Sequence, residues 1–276
     1  MICLAICFFT LMFFVLRYLS VKNTHFPDTI GEIKDEHQRT KKNSLHAINK
    51  VAIFFSVSSS IYSFVLLHKT GLDIEKKNSQ EELLVICFSI GYFISDIASG
   101  IIYEYIDNDF IFHHLASALS FYYAVHKGLY GSIIVFSIAV SEAITSILTL
   151  RDMLLVYKKY QLIGNILGLI FCVCFIYTRI VTFGQLGFFV FRSTMPLITK
   201  LFYGMLWYLS LYWSFSVFNL ATKSLRDNLK YESIVKFYSL LSKFRKNKVV
   251  KGLMHCVFIS LSFTTTLTHW NHVGLV

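Results

Sequence analysis

Long apolar runs recur along most of this chain, and they constrain its fold more than any other feature. A helix needs about 17–25 apolar residues to cross a hydrocarbon core about 30 Å thick. Because lipid offers no partner to unpaired backbone groups, such segments must be helical. The sequence therefore predicts an all-α, polytopic membrane helix bundle of about seven transmembrane helices, with six to eight as the range. The predicted spans lie at roughly 2–19, 51–67, 83–103, 110–126, 130–150, 162–183 and 197–222, with a shorter run at about 253–269.

Composition supports a membrane protein and excludes an ordinary soluble domain. Hydrophobic residues make up 55% of the chain and charged residues only 15%, with a mean hydropathy of +0.58. Soluble domains carry a smaller apolar share and about 25% charged residues. The first apolar run lacks a basic segment before it and continues beyond the length of a signal-peptide core, which favours an anchor helix over a cleaved leader.

The distribution of Lys and Arg predicts the orientation of the chain. Most of the 26 basic residues fall in alternate connections, which begin with the connection after the first span. Since cytosolic loops retain an excess of Lys and Arg, the amino terminus is predicted to be lumenal and residues 223–252 cytosolic. The formal charge of +10 then reflects topology and contact with anionic lipid, and no nucleic-acid partner is expected.

The segment 223–252 has a pattern typical of an amphipathic helix on a membrane surface. Within SIVKFYSLLSKFRKNKVVKG, apolar residues alternate with lysines at helical spacing. We expect this segment to contact the anionic cytosolic leaflet, with a plain solvated tail as the alternative.

Five ionisable residues lie inside the predicted spans: Asp96, His113, His114, Glu142 and Arg179. A charged side chain at the centre of a bilayer costs about 2.5–3.5 kcal/mol, so each should face a partner or a water-filled cavity. Helical rise, about 1.5 Å per residue, places the first four within roughly 13 Å of the predicted cytosolic end. We expect those four to line one cavity.

Hydroxyl-bearing residues share helical faces with these ionisable groups. One interpretation is a polar cavity wall, and the other is that the hydroxyls hydrogen-bond between neighbouring helices. The three predicted stripes are Tyr92, Asp96, Ser99 and Tyr103; His113, Ser117 and Ser120; and Glu142, Thr145, Ser146 and Thr149.

A neutral histidine beside a carboxylate is suited to general-base chemistry. It can take a proton from a hydroxyl or amine while that group attacks an acyl carbon. The same residue types could ligate a metal, but the single tandem pair His113-His114 supplies too few ligands, so no metal site is expected. We interpret the aromatic residues Tyr122, Tyr123, Tyr130, Trp207 and Trp213 as membrane-interface or packing residues.

Four segments of the chain resemble the TLC domain, namely ISDIASGIIYEY, FIFHHLASALSFYYAVHKGLYGS, SEAITSILTLRDMLL and FIYTRIV. That family is shared by the translocating-chain-associating membrane protein, the longevity-assurance ceramide synthases and the ceroid-lipofuscinosis membrane protein. The likeness falls closest to the small TLC domain-containing transmembrane proteins. It divides the chain into an anchor helix and connection (1–45), a TLC-like membrane domain (46–222) and a basic segment with a possible last helix (223–276). The matched positions are Asp96, His113, His114, Glu142, Arg151 and Arg179.

The resemblance implies a role in lipid metabolism or membrane lipid homeostasis, in the endoplasmic reticulum or a connected endomembrane. One hypothesis is an acyltransferase acting on a long-chain lipid, with acyl-CoA as co-substrate and no bound cofactor. His113 or His114 would be the base and Asp96 and Glu142 would orient it. The substrate would contact Arg151, Arg179, Tyr92 and Tyr103.

The alternative hypothesis is a non-catalytic protein that binds lipid or handles cargo. The HDxxD-like segment of ceramide synthases is not matched, because Ser141, Glu142 and Thr145 stand in its place, so ceramide synthase activity is a minority interpretation.

Overall fold

The protein is helical throughout the part that the structure, a computed structural model, describes. That part comprises residues 1–22, 33–73 and 75–228, without the side chains of residues 20–22 and 220–228. These residues form no named strand, so the predicted all-α class is confirmed. The helices are α1 (Ile2–Lys22), α2 (Glu36–Thr70), α3 (Gln80–Ile102), α4 (Asn108–Lys127), α5 (Gly131–Leu155), α6 (Gln161–Tyr177), α7 (Phe183–Arg192) and α8 (Leu197–Asn228).

Two short turns of other helix types join these elements. A 3₁₀ turn at Lys158–Tyr160 precedes α6, and a π-helical turn at Thr178–Thr182 links α6 to α7. The predicted span 162–183 is therefore part of a longer helical segment. The predicted span 51–67 also begins earlier, because the Asp35 side chain accepts hydrogen bonds from the backbone N–H groups of His37 and Gln38 and starts α2 there.

Five helical segments in the described part are long and apolar enough to cross a membrane: Ile2–Leu19, Glu36–Thr70, Gln80–Ile102, Gly131–Leu155 and Lys158–Arg192. Helices α4 and α8 are not among them. In α4 the terminal Asp109 and Lys127 and three histidines lower the average hydropathy. A polytopic helical membrane protein is thus confirmed, and the crossings by α4 and α8 stay predictions.

The connections between helices gather at two opposite ends. At one end, the Asn78 side chain accepts a hydrogen bond from Gly131 N (2.7 Å) and donates one to Ala124 O (3.0 Å), while its backbone N–H donates to Gly128 O. At the other end, His37 lies 3.5 Å from Glu104. Successive connections between helices therefore alternate between the two ends, as the distribution of Lys and Arg predicts.

Helix α1 is part of the packed core of the bundle. Phe9 and Phe13 are fully buried, and Phe9 meets the Phe55 ring edge-on at 5.7 Å. Gly91 allows this close approach, because a Cβ atom there would lie 2.4 Å from Ala5 Cβ. The described residues of Met1–Ser214 belong to one compact unit.

A second unit comprises Phe215–Val276, of which the structure describes the end of α8. Most of the predicted surface helix at 223–252, and the apolar run at 253–269, lie outside the described residues.

Candidate functional site

Helices α3 and α4 bring Asp96 and His114 together. His114 Nδ1 lies 3.2 Å from Asp96 Oδ2, within ion-pair distance but without the alignment of a hydrogen bond. Both residues are buried, with 8% and 9% of their surfaces exposed, and the imidazole stacks on the Phe93 ring at 4.9 Å. The carboxylate and the ring together fix the orientation of His114.

Tyr105 engages the second oxygen of the same carboxylate. Its hydroxyl donates to Asp96 Oδ1 at 3.4 Å from the connection between α3 and α4. Burial, and next the negative charge of Asp96, raise the pKa of Tyr105, so the phenol stays a neutral donor. Sequence reasoning missed this residue, because it lies past the end of α3 where helical periodicity no longer applies.

His113 lines a cavity on the other side of α4. Successive residues on a helix are about 100° apart, so His113 and His114 cannot share one environment. The His113 ring meets Trp213 edge-on at 5.0 Å, and its Nδ1 is buried without a hydrogen-bond partner in the described part of the chain. His113 is thus the histidine that a molecule in the cavity would meet.

The cavity has a volume of about 120 Å³ and lies among α4, α5, the π-helical turn, α7 and α8. Ser117 and Ser120 of the predicted α4 stripe line it together with His113. Three aromatic residues that we interpreted as interface or packing residues also line it, namely Tyr123, Tyr130 and Trp207. The wall therefore combines hydroxyls and aromatic rings with a few ionisable groups.

Glu142 supplies the carboxylate of this cavity. It is 8% exposed, and its Oε2 accepts a hydrogen bond of 2.7 Å from the Ser56 hydroxyl of α2. Neighbouring Ser60 donates across the same helix pair to Ala139 O at 2.9 Å. The other hydroxyls of the predicted Glu142 stripe donate to carbonyls of their own helix, and they are Thr145, Ser146 and Thr149.

Arg179 supplies the cation, from the π-helical turn. Its Nη1 donates to Ser141 Oγ at 3.3 Å, and its guanidinium carbon lies 5.1 and 5.0 Å from the ring centroids of Phe175 and Phe183. Trp207 Nε1 donates to the Arg179 carbonyl at 3.1 Å. Single π-helical turns are frequent at functional sites, and this one holds a buried charge against the cavity.

The remaining predicted substrate-binding residues lie away from the cavity. Arg151 Nη1 lies 2.8 Å from Asp152 Oδ1. Tyr103 lies under the Arg17 guanidinium at 4.3 Å, and Tyr92 stacks on Phe55 at 4.0 Å in the core.

The eight predicted site residues thus fall into three groups. His113, Glu142 and Arg179 share the cavity, and Asp96 and His114 form a pair beside it. Arg151, Tyr92 and Tyr103 are elsewhere. The cavity therefore contains one histidine and one carboxylate of the four expected residues, because adjacent residues of α4 face different neighbours.

The chemistry available at the cavity is that of organic acids and bases. An imidazole, a carboxylate and a guanidinium meet there in largely apolar surroundings. No three His, Cys, Asp or Glu residues within the described ranges are grouped so as to hold a metal ion.

The fold and these buried ionisable groups define a class of protein: a polytopic helical membrane protein with a polar site enclosed among its helices. Comparison with protein families then identifies the family, since the model of the TLC domain matches residues 47–226. The chain belongs to the TLC domain family, which is linked to lipid biology. A comparison with curated proteins found no match.

Proposed function

We propose that this protein is a lipid acyltransferase of an endomembrane, and that His113 is its general base. The observation that carries the proposal is the position of His113, which lines one buried cavity together with Glu142 and Arg179. An imidazole that lines a cavity can exchange protons with a bound hydroxyl or amine. A histidine that is buried only for packing does not need to line a cavity.

The proposed reaction transfers an acyl group from acyl-CoA to a hydroxyl or amine of a membrane lipid. His113 takes the proton of the acceptor as its oxygen or nitrogen bonds to the thioester carbonyl carbon. The carbon–sulfur bond then breaks, and the coenzyme A thiolate takes the proton back from the imidazolium. No redox change occurs, and the histidine ends in its starting state.

The Asp96–His114 pair acts as a set of positioning residues in this proposal. It packs directly behind His113, whose ring centroid lies 5.7 Å from that of His114. A negative carboxylate 3.2 Å from His114 favours a fixed imidazole at that position. A fixed His114 also holds in place the helical turn of α4 that carries His113.

The size of the cavity limits what it can hold. Pockets for drug-sized ligands measure roughly 300–1,000 Å³, whereas this cavity measures about 120 Å³. We infer that it takes the reacting polar group of the lipid, while the acyl chains extend between helices into the bilayer.

Family membership supports residence in the endoplasmic reticulum or a connected membrane. With the amino terminus in the lumen, residues 223–252 would face the cytosol and contact its anionic leaflet. Their basic character would favour the phosphates of coenzyme A on that side.

The experiment that tests the activity is a mass-spectrometric lipid profile of cells expressing matched amounts of wild-type and variant proteins. One acylated lipid class should rise with the wild type and return to baseline with His113→Ala, alone or combined with His114→Ala. The control is His126→Ala, an exposed histidine of the same helix. Identical profiles for wild type and His113→Ala at equal abundance would contradict the proposed activity.

A non-catalytic lipid-binding function is the second candidate, and one observation favours it. Glu142 and Arg179 are both held by protein partners, Ser56 and Ser141, as in a fixed binding site. Under this alternative, no acylated product depends on His113. The His113→Ala substitution would instead alter which lipids copurify with the protein.

A further inference from the structure

The cavity contains two opposite charges that do not pair with each other. Glu142 and Arg179 line the same cavity, and no ion pair joins them in the described part of the chain. Each charge therefore has capacity for an external partner.

The Glu142 carboxylate has one oxygen engaged and one available. Ser56 donates to Oε2 at 2.7 Å, and Oε1 has no hydrogen bond to the described part of the chain. A carboxylate accepts several hydrogen bonds, and a primary ammonium is a compact donor of three. The available oxygen suits an amine or ammonium group.

The Arg179 guanidinium is also incompletely satisfied. It has five N–H donors, and the structure gives Nη1 a partner in Ser141 while Nε has none among the described residues. Arg179 is 9% exposed, and its guanidinium carbon lies over the Phe175 and Phe183 rings. A guanidinium can bind a planar or tetrahedral oxyanion in a bidentate manner.

We propose that this cavity recognises a zwitterionic headgroup, with its phosphate at Arg179 and its ammonium at Glu142. The chemical class of the ligand is an aminophospholipid or its lyso form. The inference depends on the proposed function only in placing a lipid in this cavity. A purely anionic headgroup would meet the like charge of Glu142, and an uncharged one would give Arg179 no anionic ligand. Both mismatches select against those lipids.

The test measures binding of three lysolipids with one identical acyl chain to the purified full-length protein in detergent. These are lysophosphatidylethanolamine, lysophosphatidylglycerol and monoacylglycerol. The zwitterionic lysolipid should bind about tenfold more tightly than either of the others, because charge-assisted hydrogen bonds are lost with each mismatch. Equal affinity for all three would overturn the proposal.

Two substitutions separate the roles of the two charges. Glu142→Gln should move the preference towards lysophosphatidylglycerol, whereas Arg179→Gln should weaken both phospholipids about tenfold. Arg179→Lys keeps the charge and should retain part of the affinity, which guards against misfolding of the Gln variant. The control is Arg192→Gln, an exposed arginine of α7 that lies over Phe188 outside the cavity. Unchanged lipid preferences in both Gln variants would contradict the proposal.

Free phosphoethanolamine distinguishes headgroup recognition from recognition of the lipid chain. We expect it to compete with bound lysophosphatidylethanolamine when added in large excess. Failure to compete would show that the free headgroup does not bind where the headgroup of the lysolipid binds, and it would overturn the proposal.

His113→Ala separates this inference from the acyltransferase proposal. It should keep the headgroup preference, since neither charge is altered, and lose acylated product. Product that depends on His113 without any headgroup preference in the wild type would leave the acyltransferase proposal standing and refute this inference.

Discussion

His113 and His114 are neighbours in sequence with different surroundings. His114 faces Asp96 and the Phe93 ring, whereas His113 faces Trp213 and the cavity. The sequence identifies the pair as costly to bury and therefore as a candidate functional site, but it does not show which histidine would meet a ligand. That difference depends on the rotation of α4 within the bundle, which only the neighbouring helices determine.

Tyr105 gives a prediction at this scale, because its raised pKa links stability to pH. The unfolded chain releases the phenolic proton near pH 10, whereas the folded protein keeps it to a higher pH. The contribution of Tyr105 to the free energy of unfolding is thus fully present below pH 10 and is lost as the pH rises above that value. Tyr105→Phe should remove this part of the loss.

The measurement is the midpoint of thermal unfolding of both proteins in one detergent between pH 8 and pH 11. The difference between wild type and Tyr105→Phe should be small at pH 8 and should shift in favour of the variant above pH 10. A constant difference across this range would show that Tyr105 ionises as readily in the folded protein as in the unfolded chain.

At the scale of elements, two local features shape the bundle beyond what helical periodicity predicts. The π-helical turn at Thr178–Thr182 places Arg179 against the cavity, and Gly91 allows α1 to approach α3. Apolar patterning predicts the helices themselves because bilayer thickness imposes their length. It does not predict a π-helical turn or a helix contact, since both depend on side chains from distant parts of the chain, such as Trp207 and Ala5.

Two glycines make a matched pair for testing helix contacts. At Gly91 a Cβ atom would lie 2.9 Å from backbone atoms of Ala5 and Ile6, so α1 must move. At Gly184 the nearest atom, on Trp207, would be at an ordinary 3.7 Å. Gly91→Ala should therefore lower the free energy of unfolding by about 1–3 kcal/mol, while Gly184→Ala should raise it by about 0.5–1 kcal/mol.

Thermal unfolding in detergent distinguishes these two outcomes. Gly91→Ala should melt below the wild type and Gly184→Ala at or above it. A Gly91→Ala protein as stable as the wild type would show that α1 does not pack on α3 as closely as the structure has it.

At the scale of the whole molecule, the two groups of connections lie at opposite ends of the bundle. Alternating basic content predicts this arrangement, because every crossing reverses the direction of the chain. The structure supports the grouping through Asn78 at one end and His37 with Glu104 at the other. Which end faces the cytosol stays a prediction from the distribution of Lys and Arg.

Cysteine labelling tests that orientation. In a cysteine-free background, His37→Cys and Lys76→Cys place exposed thiols at opposite ends. After selective permeabilisation of the plasma membrane, a membrane-impermeant maleimide should label His37→Cys and spare Lys76→Cys. Lysis of all membranes, as the control, should allow labelling of both. The reverse pattern would place the amino terminus in the cytosol.

The burial of Phe9 and Phe13 in the core also sets an order of events during synthesis. Helix α1 precedes the family-matched region at 47–226, yet Phe9 meets the Tyr92 ring at 5.4 Å. The ribosome makes Tyr92 about 80 residues after Phe9, a delay of roughly 4–16 s at about 5–20 residues per second. During that interval α1 lacks its contacts with α3, and it can pack first against Phe55 of α2, which the ribosome makes earlier than Tyr92.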